Sequence, residues 1–111
     1  MSAEQPGPAP SGQATFVNTF TLRTTPEEFE EAFVRTARFL ERQPGFLAYT
    51  LVRHLEEPQS YVNIARWTDV ASFRAAVTQA EFGPHAEALR AISTSSSGLY
   101  TERRSATVEE R

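Results

Sequence analysis

The stretch Tyr-Val-Asn-Ile-Ala-Arg-Trp-Thr-Asp at residues 61–69 decides the fold. Its β-branched and aromatic residues alternate with a period of two, which predicts a β-strand. Because side chains on a strand alternate between its faces, Tyr61, Asn63 and Trp67 point to the same side. Thr68 or Asp69 stands where the strand should end, and either can cap a following helix. Both faces carry apolar residues, so we expect both to be covered.

A strand with a polar residue on its apolar face is predicted at residues 14–23. Phe16, Phe20 and Leu22 share one face of this strand, and Asn18 lies among them. A buried amide needs either a hydrogen-bond partner or a ligand. Asn18 is therefore a candidate site residue.

A helix start follows this strand. Thr25 is the expected N-cap, Pro26 suits the first helical position, and Glu28 stands at the capping-box position. A Pro-Gly pair should end the helix near Gln43. The predicted buried stripe recurs at helical spacing and comprises Phe29, Ala32, Phe33, Thr36, Ala37 and Leu40.

A second strand is predicted at residues 46–55, and the turn at residues 56–59 should join it to the strand at 61–69 as a hairpin. Strict alternation predicts one face made of Phe46, Ala48, Thr50 and Val52, and an opposite face made of Leu47, Tyr49 and Leu51.

The second half of the chain begins with a helix after Asp69, which Gly83 interrupts. Pro84 is well placed to start a further short helix. Residues 93–98 are rich in serine and are predicted to form a polar loop. Residues 99–107 are predicted to form the last strand.

The order strand, helix, strand, strand, helix, strand predicts an α+β, ferredoxin-like split βαβ fold with an antiparallel sheet. Its first and third strands are central neighbours, so Asn18 and Asn63 should lie side by side with Trp67 nearby. Helices cover only one face of such a sheet. The apolar residues opposite, among them Val62 and Ile64, need another cover, and a second copy of the chain is the simplest one. We therefore expect a homodimer.

Length and composition bound the possible functions. The chain has 111 residues, a net charge of −3 and a pI of about 5.4, so no basic surface for nucleic acid is expected. It contains no cysteine, which excludes disulfides and thiolate metal sites. No apolar run is long enough for a membrane span, and the N-terminus does not have the pattern of a secretory signal. These features favour a cytoplasmic protein.

The predicted domain organisation is simple. Residues 1–13 are rich in Pro, Gly, Ala and Ser, which is typical of a disordered arm. Residues 14–107 should form one ferredoxin-like domain. Residues 108–111 are expected to be a frayed C-terminus.

Four segments stand out by their order and spacing: Phe-Val-Asn-Thr-Phe at 16–20, Gln-Pro-Gly-Phe at 43–46, Tyr-Val-Asn-Ile-Ala-Arg-Trp at 61–67 and Phe-Gly-Pro-His at 82–85. Together they resemble the antibiotic biosynthesis monooxygenase family, whose members are dimeric ferredoxin-like proteins of the dimeric α/β barrel type. The resemblance covers roughly residues 14–104. Within the family, the chain looks most like small anthrone oxygenases of aromatic polyketide pathways of the nogalamycin, aklanonic acid and tetracenomycin type.

This resemblance implies oxidation of an anthrone to an anthraquinone by molecular oxygen, without metal, flavin or haem. The absence of cysteine and of a glycine-rich phosphate loop is compatible with that chemistry. The substrate must then supply the electrons. Deprotonation of an anthrone gives an electron-rich anion that can pass one electron to dioxygen. Recombination would give a hydroperoxide, and loss of water the quinone.

The resemblance also implies roles for three residues. Asn18 and Asn63 match positions of the family pattern, and their amides suit stabilisation of a developing oxyanion. Trp67 matches as well, and it can stack on the substrate, donate from its indole N–H or relay an electron. No residue is an obvious general base. Further substrate contacts are expected from Phe33, Tyr49, Tyr61 and Phe73, which core packing would explain equally well. His85 is a further candidate contact, although a histidine at a helix start is more often a surface or capping residue.

Two other classes of function remain open at this point. Haem-degrading relatives use an asparagine, a tryptophan and a histidine iron ligand, which Asn18, Trp67 and His85 imitate. A non-catalytic dimer that binds an aromatic ligand, or a cyclase on the same fold, is the other class. Oxygen consumption with an anthrone would separate the oxygenase from that class. A Soret band on haem titration, lost in His85→Ala, would favour haem degradation.

Overall fold

The computed structural model describes residues 12–109, so most of the predicted N-terminal arm and the last two residues lie outside the described part. Four strands form one antiparallel sheet in the order β2-β3-β1-β4. This confirms the α+β ferredoxin-like fold. The elements in chain order are β1 (Ala14–Leu22), α1 (Pro26–Glu41), β2 (Phe46–Arg53), β3 (Ser60–Trp67), α2 (Val70–Val77), α3 (Phe82–Ile92) and β4 (Ser93–Tyr100).

The predicted start of α1 is confirmed. The Thr25 hydroxyl accepts a hydrogen bond from the Glu28 backbone N–H at 3.1 Å, and Pro26 is the first helical residue. The turn after α1 depends on Gly45, whose φ of +90° disfavours any residue with a Cβ. A Cβ there would also lie 2.4 Å from the Ser72 side chain.

Strict alternation along β2 was a wrong prediction. The pairing register with β3 shifts between Phe46 and Ala48, as in a β-bulge. The extra residue turns Phe46 to the helix-facing side, together with Tyr49 and Leu51, instead of grouping it with Ala48. The Phe46 ring centroid consequently lies 5.3 Å from that of Trp67.

The boundary between the second and third helices also differs from the prediction. α2 ends at Val77, six residues before the glycine that was expected to interrupt it, and α3 already begins at Phe82. The Thr78 hydroxyl donates to the Arg74 carbonyl at 2.8 Å and helps to close the last turn of α2. Pro84 lies within the first turn of α3, where a missing N–H is tolerated.

The largest error concerns β4. Residues 93–98 were predicted as a loop and 99–107 as a strand, but the strand is Ser93–Tyr100 and residues 101–109 have no regular structure. β4 pairs with β1 along its whole length, from Ser93 opposite Leu22 to Tyr100 opposite Thr15. Pairing with β1 satisfies the backbone groups on one side of this edge strand and outweighs the weak strand propensity of serine.

The helices cover one face of the sheet, and a cluster of aromatic rings fills part of the space between them. We call this cluster the closed core; Phe29 lies at its centre and is completely buried. Its ring centroid lies 5.0 Å from Phe20, 5.0 Å from Tyr61 and 6.0 Å from Phe33. Within residues 12–109, no helix has the length and apolar character needed to cross a membrane.

Candidate active site

A cavity of about 450 Å³ lies beside the closed core, between the sheet and the helices. Its wall is mainly apolar. Three strands (β1, β3 and β4) and all three helices contribute to it. The apolar lining residues include Phe16, Leu40, Trp67, Phe73, Val77, Phe82 and Leu89. A cavity of this size and character is typical of a site for a small, largely apolar molecule.

Asn18 and Asn63 are the chain's two asparagines, and both line this cavity. They lie directly opposite each other in the β1–β3 register, as predicted. Side chains in such opposed positions on neighbouring antiparallel strands are within contact range of each other.

The amide oxygens of these two asparagines are buried and unpaired. Asn63 is only 7% exposed, and neither Oδ1 atom accepts a hydrogen bond within residues 12–109. Leaving a buried amide oxygen without a partner costs about 1–3 kcal/mol. Two such atoms side by side on a cavity wall mark a place where a ligand, rather than the protein, supplies the partner.

Trp67 completes the set of predicted catalytic residues that line the cavity. Its indole is 1% exposed and is held between two aromatic rings, each nearly perpendicular to it. The ring centroids of Phe46 and Phe73 lie 5.3 and 5.7 Å from that of Trp67. Asp69 caps α2 by accepting a hydrogen bond from the Ser72 N–H at 2.7 Å, and α2 positions Phe73.

The five predicted substrate contacts divide into two groups. Phe33 and Phe73 line the cavity, whereas Tyr49, Tyr61 and His85 are not among its lining residues. Contacts with other parts of the protein hold these three side chains outside the cavity lining.

Tyr61 and Tyr49 belong to the core packing. The Tyr61 hydroxyl donates to Glu30 Oε2 at 2.5 Å, and burial together with this neighbour raises the pKa of the phenol. Tyr49 packs edge-on against Phe33, with 5.5 Å between ring centroids.

His85 packs against Phe39 on α1, with 5.8 Å between the ring centroids. The trio expected for haem degradation is therefore not assembled, since Asn18 and Trp67 line the cavity and His85 does not. Across the described part of the chain, no group of three or more histidine or acidic side chains is arranged to hold a metal ion.

Charged groups are scarce in the cavity wall. Arg90, near the end of α3, is its one charged lining residue, and no aspartate, glutamate or histidine of residues 12–109 lines it. The cavity wall therefore includes one exposed arginine but no conventional general base among these residues.

Sequence reasoning missed the contribution of β4. Ser93, Ser95 and Ser97 line the cavity because they alternate along one face of the strand. The serine-rich composition obscured this alternation. Residues 93–98 contain only serine, threonine and glycine, so the sequence carries no clear signal that could have revealed it.

Comparisons with known proteins agree with this architecture. The antibiotic biosynthesis monooxygenase family matches residues 15–88. Deoxynogalonate monooxygenase of Streptomyces nogalater is 56% identical over 91 residues, which are 82% of this chain and 77% of that protein. The crystal structure of SnoaB, a cofactor-independent oxygenase from Streptomyces nogalater, is 54% identical with a TM-score of 0.83, covering 85% of this chain and 96% of that one.

A more distant structure supports the fold alone. A protein from Shewanella oneidensis is 16% identical, with a TM-score of 0.72 over 82% of this chain and 91% of that one. The family match covers well over half of the chain, and the relatives of high identity are named as oxygenases. The chain therefore belongs to the antibiotic biosynthesis monooxygenase family and is an oxidoreductase.

Proposed function

We propose that this enzyme is a cofactor-independent monooxygenase that uses molecular oxygen to oxidise an anthrone-type polyketide intermediate to an anthraquinone. The observation that carries the proposal is the pair of unpartnered amide oxygens of Asn18 and Asn63, side by side in an otherwise aromatic cavity. The similarity to deoxynogalonate monooxygenase and to the cofactor-independent oxygenase SnoaB supports the same reaction class.

The cavity suits a flat polycyclic substrate. Trp67, Phe16 and Phe73 offer ring faces and edges, and the volume of about 450 Å³ is within the usual range for small-molecule sites. The asparagines are the polar groups that would fix the orientation of the substrate's oxygen atoms.

The reaction balances without an external reductant. Loss of a proton from the ring carbon opposite the carbonyl gives an anion delocalised onto the carbonyl oxygen. This anion passes one electron to dioxygen, and the two radicals combine to form a peroxide at that carbon. Cleavage of the O–O bond with loss of water then gives the quinone. One anthrone and one dioxygen thus become one anthraquinone and one water.

The amides of Asn18 and Asn63 would stabilise the charge that develops on the substrate oxygen. Each amide has an N–H₂ donor end and a carbonyl acceptor end, and rotation about the terminal bond exchanges them. Preorganised neutral donors in a cavity with little water are effective for an oxyanion, and removal of one such donor costs about 10²–10³ in rate in well-studied cases.

Substrate ionisation would not depend on a protein base. Arg90 is the one charged residue among the described lining residues, and a nearby cation favours the anionic form of a bound acid. We therefore expect kcat to rise with pH along the ionisation curve of the bound substrate and then level off. A bell-shaped profile that disappears on replacement of a single aspartate, glutamate or histidine would contradict this expectation.

The homodimer is part of the same proposal. Leu47, Val52 and Ile64 are 40–43% exposed on the sheet face opposite the helices, where a second sheet would cover them. Sedimentation at micromolar concentration should give about twice the 12.4 kDa chain mass. A monomer at that concentration would contradict the proposal. The cytoplasmic location also remains a prediction.

Oxygen uptake by metal-stripped protein with dithranol as the anthrone tests the reaction directly. We expect clear acceleration over the spontaneous rate, with one dioxygen consumed for each quinone formed. No acceleration, or acceleration that returns only on addition of haem, flavin or a metal, would overturn the proposed function.

A further inference from the structure

The inner face of β4 carries three serines, at positions 93, 95 and 97, where its neighbour β1 carries Leu22, Phe20 and Asn18. Ser95 lies opposite Phe20 in the β1–β4 register, and both side chains line the cavity. Ser97 lies opposite Asn18. We call Ser95 and Ser97 the serine wall. Their small side chains leave the cavity open on this side and give it a polar border.

The serine wall continues the polar row of the asparagines. Ser97 is opposite Asn18 on β1, and Asn18 is opposite Asn63 on β3, so the three side chains form one line across three strands. Neighbouring strands are about 4.8 Å apart, which makes the row about 10 Å long. A row of this length can border one edge of a fused-ring molecule.

The two hydroxyls of the serine wall are available to a ligand. The neighbouring Ser93 is buried and donates to the Leu89 carbonyl at 2.7 Å, so its hydroxyl is already engaged. Within residues 12–109, no hydrogen bond involves the hydroxyl of Ser95 or of Ser97. A serine hydroxyl can both donate and accept, which suits phenol and carbonyl oxygens alike.

Much of the remaining cavity wall is apolar and includes the rings of Trp67, Phe73 and Phe82. A flat ligand with oxygen atoms along one edge would place its rings against these aromatic residues and its oxygens towards the serine wall. A ligand without peripheral oxygens would gain only the aromatic contacts.

We propose that Ser95 and Ser97 bind the hydroxylated edge of the polycyclic substrate and select oxygenated substrates over unsubstituted ones. This inference rests on the proposed function for the identity of the substrate. It adds two specificity-determining residues, on a strand that contributes neither Asn18, Asn63 nor Trp67.

Binding of quinones, which resemble the product and do not turn over, tests the serine wall separately from catalysis. The probes are unsubstituted anthraquinone and the dihydroxyanthraquinone whose hydroxyls flank one carbonyl. Trp67 is the chain's only tryptophan and lines the cavity, so quenching of its fluorescence reports occupancy.

The variants are Ser97→Ala, the double variant with Ser95→Ala, and Ser97→Thr, which retains the hydroxyl. The matched control is Ser96→Ala on the same strand: Ser96 is exposed, as Ser95 and Ser97 are, but it lies on the other face of the strand and does not line the cavity.

We expect Ser97→Ala to weaken binding of the dihydroxyanthraquinone about fivefold, the usual effect of one lost neutral hydrogen bond. The double variant should lose more, and Ser97→Thr should retain most of the affinity. Binding of unsubstituted anthraquinone should be unchanged in every variant, and Ser96→Ala should match the wild type with both probes.

Equal losses for the two quinones, no loss in the double variant, or a wild type that does not prefer the hydroxylated quinone would each overturn the inference. A wild type that shows the expected selectivity but does not accelerate dithranol oxidation would instead refute the proposed reaction and leave the serine wall supported. The two failures are therefore distinguishable.

Discussion

The closed core and the cavity occupy neighbouring parts of the same sheet face, yet they differ in what their residues accomplish. In the closed core, Phe29 is fully buried and packs against three aromatic rings. In the cavity, Asn18 and Asn63 leave buried oxygens unpaired, and the serines of β4 leave space unfilled. The alternation of the strands is the same in both places. Side-chain volume and polarity alone decide which part becomes core and which becomes a site.

This contrast indicates how the protein separates stability from function. Burial of aromatic rings stabilises the fold, whereas unpaired amides and an open cavity reduce stability unless a ligand compensates. Natural enzymes commonly have functional sites of this kind beside a well-packed core. Substitutions in the closed core should therefore lower the free energy of unfolding, whereas substitutions of the polar residues in the cavity should lower kcat and leave the free energy of unfolding unchanged or higher.

The largest expected effect on stability is in the closed core. Phe29→Ala should lower the free energy of unfolding by about 3–5 kcal/mol because it removes a fully buried ring. For a domain of this size, each kcal/mol corresponds to about 4–8 °C, so thermal unfolding should shift by at least about 12 °C. Calorimetry measures this shift. The control is Leu55→Ala at a fully exposed position, where a change within about 0.5 kcal/mol is expected. A shift of only a few degrees in Phe29→Ala would mean that the two regions do not differ as described.

Trp67→Phe should have a smaller effect than Phe29→Ala, and the quantity that changes should be kcat rather than stability. If the indole acts by stacking, the remaining apolar ring should keep kcat within about tenfold of the wild type, a difference of ~1.4 kcal/mol. Steady-state oxygen uptake measures this. Near-total loss of activity in a folded variant would show that the indole itself donates or relays an electron, and would sharpen the role of Trp67.

Acid should weaken the two regions differently. A neutral hydroxyl, that of Thr25, caps α1 over the closed core, whereas Asp69 caps α2 over the cavity. The hydrogen bond from the Ser72 backbone N–H lowers the pKa of Asp69. A carboxyl with a lowered folded-state pKa stabilises the fold above its unfolded-state pKa, and this contribution is lost as the pH falls through the folded-state value.

Asp69→Asn should therefore flatten the acidic part of a plot of melting temperature against pH, because the amide can still cap the helix but does not titrate. Glu102→Gln is a suitable control, since Glu102 is an exposed carboxylate outside the regular elements. Parallel curves for Asp69→Asn and the wild type below about pH 4, near the ordinary aspartate pKa, would show that this cap does not contribute.

Much of the fold could be predicted because its signals are local. The Thr25 and Asp69 caps, the hairpin and the pairing of Asn18 with Asn63 all follow from short patterns and one topology. β4 could not be predicted from its composition, because its strand structure depends on pairing with β1. The bulge after Phe46 was missed for a related reason, since one inserted residue is invisible to a strict period of two.

The site was only partly predictable for the same physical reason. Polar residues on an apolar strand face are conspicuous, and this identified Asn18 and Asn63 as candidates. Aromatic residues are not conspicuous in this way. A ring that packs in the core and a ring that lines a cavity recur at the same helical or strand spacing. Tyr61 and Phe73 show this ambiguity, since Tyr61 packs in the closed core and Phe73 lines the cavity.

The most direct test of the contrast is to measure kcat and the free energy of unfolding of Asn63→Ala on the same preparation, with Leu55→Ala at a fully exposed position as control. We expect kcat to fall at least about tenfold, as for the loss of an oxyanion donor. The free energy of unfolding should stay equal to that of the wild type or rise, because an unpaired buried amide is removed beside an existing cavity. An Asn63→Ala protein with unchanged kcat and reduced stability would contradict the account, since Asn63 would then be a core residue.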